Sequence, residues 1–275
     1  MAMMNKFRKK WAAFAAWMKN DGKIAQVTVS PVSYPDALAG KRVIVTGGSD
    51  GIGLAIARKM LESGASVLIT GRDAEKLSRR KAELGSEKLF VYQWDVAEIA
   101  AIPEKLKGAL ALLGGCDIFV NNAAYVARYQ EDEEYFDRML TTDLKAVHYI
   151  CLDLIDHWLK NPCETPRKII NISSLNAYQG GAHPYYYAKR AMLSLTEGLA
   201  RKYAGDNIIV NGVAPGITAS SINYRDVSEN AYYKAPIGRL ILPEEIAAIV
   251  HFLATDAANG IVGQTIVCDG GVTLR

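Results

Sequence analysis

Cysteine is scarce in this 275-residue sequence, and its few cysteines follow no redox or metal-binding spacing. Because a chain of this length can bury a large core, it needs no disulfide framework, and we expect reduced, mostly buried thiols. Histidine is equally sparse and dispersed, which gives no indication of a metal site. The residues are Cys116, Cys151, Cys163 and Cys268, and His148, His157, His183 and His251.

Excess charge and long apolar runs are also lacking. The chain carries 32 basic and 29 acidic residues, so its net charge of +3 gives no strong field for nucleic acid or an acidic polymer. Its longest apolar run falls far short of the roughly 20 residues that span a bilayer. These absences favour a cytoplasmic protein that acts on a small molecule.

The first 35 residues differ from the rest. An apolar stripe at helical spacing follows a basic start, which predicts an amphipathic helix, and two prolines then indicate an extended arm. The polar residues after the helix are unlike a cleavage site, so we do not expect secretion. The stripe consists of Phe7, Trp11, Phe14 and Met18, followed by Lys19, Asn20 and Asp21.

Two roles are open for this appendage, residues 1–35. The helix can pack on its own domain or on a neighbouring subunit, which we favour, or it can lie on a membrane surface. A single domain of residues 36–275 follows.

Within that domain, short β-branched runs alternate with helical patterns. Parallel strands need such crossovers, and several strands are apolar almost throughout, as in a sheet covered on both faces. The pattern predicts a Rossmann-type, doubly wound α/β fold with seven parallel strands. The predicted strands are Arg42–Thr46, Ser66–Thr70, Lys88–Trp94, Asp117–Asn121, Lys168–Ser173, Asn207–Val213 and Thr265–Cys268, and the helices include Ile52–Ser63, Ala74–Leu84, Glu133–Lys160 and Pro184–Ala204.

A glycine-rich turn connects the first predicted strand to the first helix. Glycines allow a tight turn and a close approach of the backbone to a pyrophosphate, and the helix start offers free N–H groups. With a strand before it and a helix after it, this motif predicts a dinucleotide site. Its residues are Thr46-Gly47-Gly48-Ser49-Asp50-Gly51-Ile52-Gly53.

The end of the second predicted strand indicates which dinucleotide is bound. Gly71 stands where an acid would bind a ribose 2′-hydroxyl, and Arg72 follows it. A guanidinium can bind a 2′-phosphate with two hydrogen bonds, so we expect NADP(H) to be favoured over NAD(H). Asp73 is expected to cap the next helix rather than contact the ribose.

Together these motifs resemble the short-chain dehydrogenase/reductase family from Leu38 to Gly271. The glycine turn matches the family pattern T-G-x-x-x-G-x-G, and the family's other landmarks follow in order. They are Asp95-Val96 for adenine, Asn121-Asn122-Ala123-Ala124 after the fourth strand, Asn171-Ile172-Ser173-Ser174, the Y-x-x-x-K motif Tyr185-Tyr186-Tyr187-Ala188-Lys189, and Pro215-Gly216-Ile217-Thr218 beside the nicotinamide.

The resemblance implies an oxidoreductase acting on a carbonyl or secondary alcohol. Tyr185 would be the proton donor or acceptor, and Lys189, four residues later on one helix face, would stabilise its phenolate and reach the ribose. Ser174 would orient the substrate oxygen, with Ser173 as the less favoured choice.

Two features depart from the family pattern. Asp143 stands where relatives have an asparagine that supports a water path to the lysine. Its carboxylate could hold that water, pair with Lys189, or weaken the effect of the lysine on Tyr185. The loop between Ser174 and Tyr185 is also shorter than expected, and the substrate entrance is predicted to include Tyr224, Tyr232 and Tyr233.

Two alternatives remain beside a carbonyl reductase for 3-oxoacyl, keto or cyclic polyol-like substrates. One is a nucleotide-binding sensor or scaffold that has lost turnover. The other is a sugar-nucleotide epimerase, although such enzymes generally have a longer C-terminal substrate domain. By analogy with the family, the closing strand predicts a homotetramer or homodimer.

Overall fold

The computed structural model describes residues 36–125, 132–219 and 234–274. In this part of the chain seven parallel strands form one sheet in the order β3-β2-β1-β4-β5-β6-β7. The doubly wound Rossmann-type fold is therefore confirmed, while the N-terminal helix and arm lie outside the described residues. The strands are β1 Arg42–Val45, β2 Ser66–Gly71, β3 Leu89–Gln93, β4 Ile118–Asn121, β5 Arg167–Ile172, β6 Ile208–Pro215 and β7 Thr265–Cys268.

Helices form the crossovers between the strands. Side-chain carboxylates that accept backbone N–H groups cap the starts of α1, α2 and α4, and glycines in the left-handed region end α2 and α3. Among the described residues, no helix combines the length and apolarity needed to cross a bilayer. The α-helices are α1 Gly51–Glu62, α2 Ala74–Leu84, α3 Ile102–Leu113, α4 Glu133–Leu140, α5 Ala146–Lys160, α6 Pro184–Tyr203 and α7 Pro243–Ala254.

Alternate residues of each strand pack on opposite faces of the sheet. In β1, Ile44 joins the core beneath α3, α5 and α6, whereas Val43 and Val45 join the core beneath α1 and α7. This burial on both faces explains the nearly continuous apolar runs of the central strands.

The structure corrects several details of the sequence prediction. The predicted helix Glu133–Lys160 is interrupted by a π-helical segment, Thr141–Lys145, which separates α4 from α5. Strand limits move by one or two residues, as helix and strand ends commonly do. Only Cys116 and Cys151 are buried; Cys268 is partly exposed and Cys163 is exposed, so the expectation of mostly buried thiols is wrong for two of the four.

The sheet order determines where a ligand can bind. From β1 the chain proceeds through β2 and β3 to one edge and then returns to β4 on the other side of β1. Such a reversal opens a crevice at the carboxyl ends of the strands. The ends of β1, β4, β5 and β6, which carry the predicted motifs, all face this crevice edge.

Candidate active site

The glycine turn after β1 has a backbone that other residues would not tolerate. Gly47 and Gly51 have φ values of +64° and +49°, in the left-handed region. A Cβ on Gly53 would lie 2.3 Å from the Gly47 carbonyl oxygen. The turn is therefore compact, and it leads directly into the N-terminus of α1, where free N–H groups favour an anion such as a phosphate.

Thr46 and Asn122 connect this turn to the end of β4. The Thr46 hydroxyl accepts hydrogen bonds from the backbone N–H groups of Asn122 and Ala123, at 3.0 and 3.1 Å. The Asn122 side chain donates to the carbonyls of Thr46 and Gly47, at 3.0 and 3.1 Å. Both side chains thus fix the shape of the glycine turn, and a ligand would contact mainly its backbone.

Helix α2 holds the turn from the other side through two cations that the sequence analysis missed. Lys76 Nζ lies 2.7 Å from Asp50 Oδ2, and Arg80 Nε donates to the Ser49 carbonyl at 3.0 Å. Asp50 also caps α1 by accepting the Gly51 N–H. The two pairs are 26 and 31 positions apart in the sequence, so no local pattern predicts their contacts.

The end of β2 lies beside the same turn. A Cβ on Gly71 would lie 3.3 Å from Ser49 Oγ, and the Arg72 side chain that follows is exposed. Asp73 accepts the Lys76 N–H at 2.9 Å and caps α2, as expected from the sequence. The position where an acid would stand therefore has no side chain, and an exposed guanidinium follows it.

Asp95, after β3, forms contacts of its own. Its carboxylate accepts the Ala97 N–H at 3.0 Å and pairs with Arg138 of α4 at 2.6 Å, while Val96 is buried. Arg138 was not predicted, because nothing in the sequence relates α4 to the end of β3.

The two serines after β5 have different roles. Ser173 Oγ donates to the Lys189 carbonyl at 3.0 Å, so its hydroxyl is used to hold α6. Ser174 Oγ accepts the Asn176 N–H at 3.2 Å, which leaves the hydrogen of this hydroxyl for another acceptor. The hydroxyl hydrogen of Ser173 is therefore already used, whereas Ser174 can still donate.

Lys189 is deeply buried, with 2% of its surface exposed. Its ammonium donates to the Ile172 carbonyl at 3.1 Å, lies 3.1 Å from Asp143 Oδ1, and is 5.5 Å from the centre of the Tyr185 ring. The structure therefore brings three of the predicted catalytic residues together, and Tyr185 itself is half-buried.

Asp143 pairs directly with the lysine, one of the three possibilities left open by the sequence. The carboxylate is fully buried within the π-helical segment, and its Oδ2 accepts the Tyr125 N–H at 2.7 Å. Burial raises the pKa of Asp143 despite the opposing charge of Lys189. Burial alone would lower the pKa of Lys189, but the charge of Asp143 raises it overall, so the ammonium stays protonated.

The segment after β6 is held against the end of β7. The Gly216 N–H donates to the Cys268 carbonyl at 2.8 Å, and a Cβ on Gly216 would lie 2.6 Å from Asp269 Cα. The Thr218 hydroxyl donates to the Gly216 carbonyl at 3.0 Å. The predicted entrance tyrosines, Tyr224, Tyr232 and Tyr233, lie outside the described residues.

Comparison with known proteins places this arrangement in a family. Residues 47–273 match the family model described as enoyl-(acyl carrier protein) reductase. Among solved structures, the RhlG/NADP active-site complex of Pseudomonas aeruginosa is similar with a TM-score of 0.80 at 30% identity, over 88% of this chain and all of that one. The 3-ketoacyl-(acyl-carrier-protein) reductase of Brucella melitensis, complexed with NADH, gives a TM-score of 0.79 at 26% identity, over 86% of this chain and all of that one.

Curated relatives cover nearly the whole domain. The dehydrogenase/reductase SDR family member 4 of Oryctolagus cuniculus is 35% identical, over 90% of this chain and 98% of the relative. The 3-oxoacyl-[acyl-carrier-protein] reductase FabG of Chlamydia pneumoniae is 34% identical, over 86% and 98% respectively. With the motifs at the strand ends that the fold requires, the chain belongs to the short-chain dehydrogenase/reductase family.

Proposed function

We propose that this chain is an NADP(H)-dependent oxidoreductase that transfers hydride between a nicotinamide and a carbonyl or secondary alcohol, with Tyr185 as general acid or base. One observation carries the proposal. The buried Lys189 ammonium is fixed 5.5 Å from the Tyr185 ring, at the sheet edge that also carries the glycine turn.

The bound nicotinamide would supply or accept the hydride. In reduction, Ser174 donates a hydrogen bond to the substrate carbonyl and holds it near Tyr185, whose phenol gives its proton to the developing alkoxide. The Lys189 ammonium stabilises the phenolate that this transfer leaves, and solvent returns the proton afterwards. In oxidation the same groups act in reverse, with the phenolate as base.

The dinucleotide would lie along the crevice edge. The glycine turn fits such a group for two reasons. The turn is packed so closely that side chains at its glycines would clash, which leaves the backbone free to approach a phosphate, and it leads into a helix N-terminus. The residues that would hold it are Thr46, Gly47, Ser49, Asp50, Gly51, Ile52, Gly53, Arg72, Asp95, Val96, Asn122, Ala123, Ala124, Tyr185, Lys189, Pro215, Gly216, Ile217 and Thr218.

The preference for NADP(H) rests on Gly71 and Arg72. The position next to Ser49 carries no acid that would repel a 2′-phosphate, and the adjacent exposed guanidinium can bind one. The relatives fit either nucleotide, since one solved structure carries NADP and another NADH. For the substrate, the names of the relatives favour a 3-oxoacyl or other keto compound, or a sugar-derived alcohol.

A catalytically silent nucleotide sensor is the second candidate, and the Asp143 carboxylate favours it. A negative charge 3.1 Å from Lys189 partly cancels the field that would stabilise a phenolate. Nucleotide binding without turnover across a broad substrate panel, unaffected by Tyr185→Phe, would identify this function.

We also propose that the chain self-associates as a dimer or tetramer in the cytoplasm. Large apolar side chains on α3 and α5 are more than 40% exposed, as expected of surfaces that are covered by another copy. They are Leu112, Tyr149 and Leu159. Light scattering coupled to size-exclusion chromatography tests this, and a monomer at micromolar concentration would contradict it.

The cofactor assignment is tested by fluorescence titration with NADPH and NADH. We expect tighter binding of NADPH, and in Arg72→Ala a loss of roughly tenfold or more for NADPH alone, because a charge-assisted bond to phosphate contributes about 1.5–3 kcal/mol. Arg79→Ala is the matched control, since Arg79 is exposed on α2 and faces Glu83. Equal affinity for both nucleotides, or no loss in Arg72→Ala, would overturn the assignment.

A further inference from the structure

His183 occupies the N-cap of α6, the helix that carries both Tyr185 and Lys189. Pro184 follows as the first helical residue and has no N–H group, so the Tyr185 N–H is the first donor of the helix without an intrahelical partner. His183 Nδ1 accepts this N–H at 3.1 Å. The ring therefore holds the backbone of the residue proposed to transfer the proton.

The second nitrogen of the same ring is held as well. Because Nδ1 accepts, the neutral ring carries its hydrogen on Nε2, which lies 3.2 Å from the Tyr135 hydroxyl. Tyr135 is 6% exposed, and Asp132, the cap of α4, accepts its backbone N–H at 2.7 Å. Burial lowers the pKa of His183, which keeps the ring neutral and able to accept.

Tyr135 also connects this cap to the partner of the lysine. Its ring centre lies 5.6 Å from that of Tyr125 and 5.6 Å from that of His183, both in edge-to-face geometry. The Tyr125 N–H in turn donates to Asp143, which pairs with Lys189. The start of α6 and Lys189, one turn further along, are thus both connected to the packed pair of Tyr125 and Tyr135.

We propose that His183, anchored by Tyr135, is a positioning residue that fixes the start of α6 and with it the Tyr185 phenol relative to Lys189. This inference rests on the proposed function of Tyr185. It adds a residue that acts through the backbone of the proton donor. Small displacements of a reacting group lower turnover strongly, about 10²-fold for 1 Å.

The test compares three variants with the full-length wild type. His183→Ala removes the cap, His183→Asn keeps an oxygen that can cap a helix, and Tyr135→Phe removes only the anchoring hydroxyl. We expect kcat to fall about tenfold or more in His183→Ala, with KM changed less than about twofold, because substrate binding is untouched. His183→Asn should recover most of kcat, and Tyr135→Phe should lie between.

His251→Ala is the matched control for a histidine that merely stabilises. Its Nε2 lies 2.8 Å from Ser63 Oγ between α7 and α1, remote from α6, so its loss should lower stability and leave kcat per folded molecule unchanged. Wild-type kcat in His183→Ala, a loss that only follows the unfolded fraction, or failure of His183→Asn to recover activity would each overturn the inference.

The rate of hydrogen exchange at the Tyr185 amide reports on the hydrogen bond to His183 and requires no catalytic activity. We expect faster exchange in His183→Ala and near-normal exchange in His183→Asn. If the wild type turned over no substrate, the proposed function would fail, and this measurement would still decide the cap: unchanged exchange in His183→Ala would overturn it.

Discussion

At the scale of single residues, Asp143 is the side chain that most distinguishes this site from the pattern of its family. A buried carboxylate 3.1 Å from a buried ammonium forms a pair in which loss of one member leaves the other uncompensated. Breaking such pairs commonly costs about 3–5 kcal/mol. The carboxylate is therefore both a structural partner of Lys189 and a limit on the field that the lysine exerts on Tyr185.

Asp143→Asn should retain turnover and move its pH profile. An amide can still accept the Tyr125 N–H, while the ammonium, no longer neutralised, stabilises a phenolate more strongly. The pKa of Lys189 itself falls as well, because the charge of Asp143 no longer offsets burial. The pH dependence of alcohol oxidation is therefore expected to move to lower pH. Steady-state kcat measured from pH 5 to pH 10 checks this.

Asp137→Asn, the same change at an exposed position of α4, is the control and should leave the profile unchanged. A folded Asp143→Asn chain without activity, or with the wild-type profile, would contradict the role given to the carboxylate.

The sequence predicted most of these residues but few of their contacts. Tyr185 and Lys189 are one helical turn apart, so their shared face follows from spacing alone. The direct pairing of Asp143, the anchoring of His183 and the clamp from Lys76 depend on elements that meet only in the folded chain. The sequence predicted the start of α6 at Pro184, but histidine is not among the preferred N-cap residues, so the role of His183 was not predicted.

At the scale of elements, the π-helical segment between α4 and α5 carries the buried Asp143. Its extra residue per turn interrupts a helix that the sequence predicted as continuous, and such insertions are frequent at functional sites. The segment is only five residues long, whereas periodicity is read over windows of about 11–18 residues, which is why it did not detect the interruption.

The glycine turn yields a prediction at the same scale. In Gly53→Ala the new Cβ would lie 2.3 Å from the Gly47 oxygen, so the turn must open, and we expect nucleotide affinity to fall about tenfold or more and stability to fall by about 1–3 kcal/mol. Fluorescence titration and urea unfolding measure the two effects.

Gly198→Ala provides the matched glycine substitution. Gly198 is exposed in the interior of α6, and a Cβ there meets nothing within 4 Å. Removing backbone freedom in a helix should stabilise the chain by about 0.5–1 kcal/mol without affecting nucleotide binding. If Gly53→Ala bound nucleotide as well as Gly198→Ala does, the turn would not be the phosphate site.

At the scale of the whole molecule, stability should depend on pH through its histidines. Burial lowers the pKa of His157, His183 and His251. The native state then binds fewer protons than the unfolded chain, so the free energy of unfolding is highest above about pH 6.5, the ordinary pKa of histidine, and declines as pH falls below it. Urea unfolding between pH 5 and pH 8 checks the sign.

His251→Asn should lessen this decline, because His251 is almost fully buried and burial disfavours its charged form. Unfolding free energy that rose as pH fell from 7 to 5 would contradict the account of these histidines.

The fold as a whole followed from the alternation of strands and helices, since a parallel sheet requires crossovers and leaves its crevice at the carboxyl edge. The substrate pocket did not follow, because its walls come from loops whose conformation depends on contacts distant in sequence. The residues that select a substrate are for this reason harder to predict than the pair that moves the proton.

The rate of NADPH oxidation with a panel of 3-oxoacyl, keto and sugar-derived carbonyl substrates tests the central claim most directly, measured for the wild type, Tyr185→Phe and Tyr187→Phe. Tyr187 is an exposed phenol on the same helix and serves as the control. We predict measurable turnover with at least one substrate, a loss of about 10²-fold or more in Tyr185→Phe, and nearly wild-type rates in Tyr187→Phe. Equal rates in the wild type and Tyr185→Phe would contradict the account.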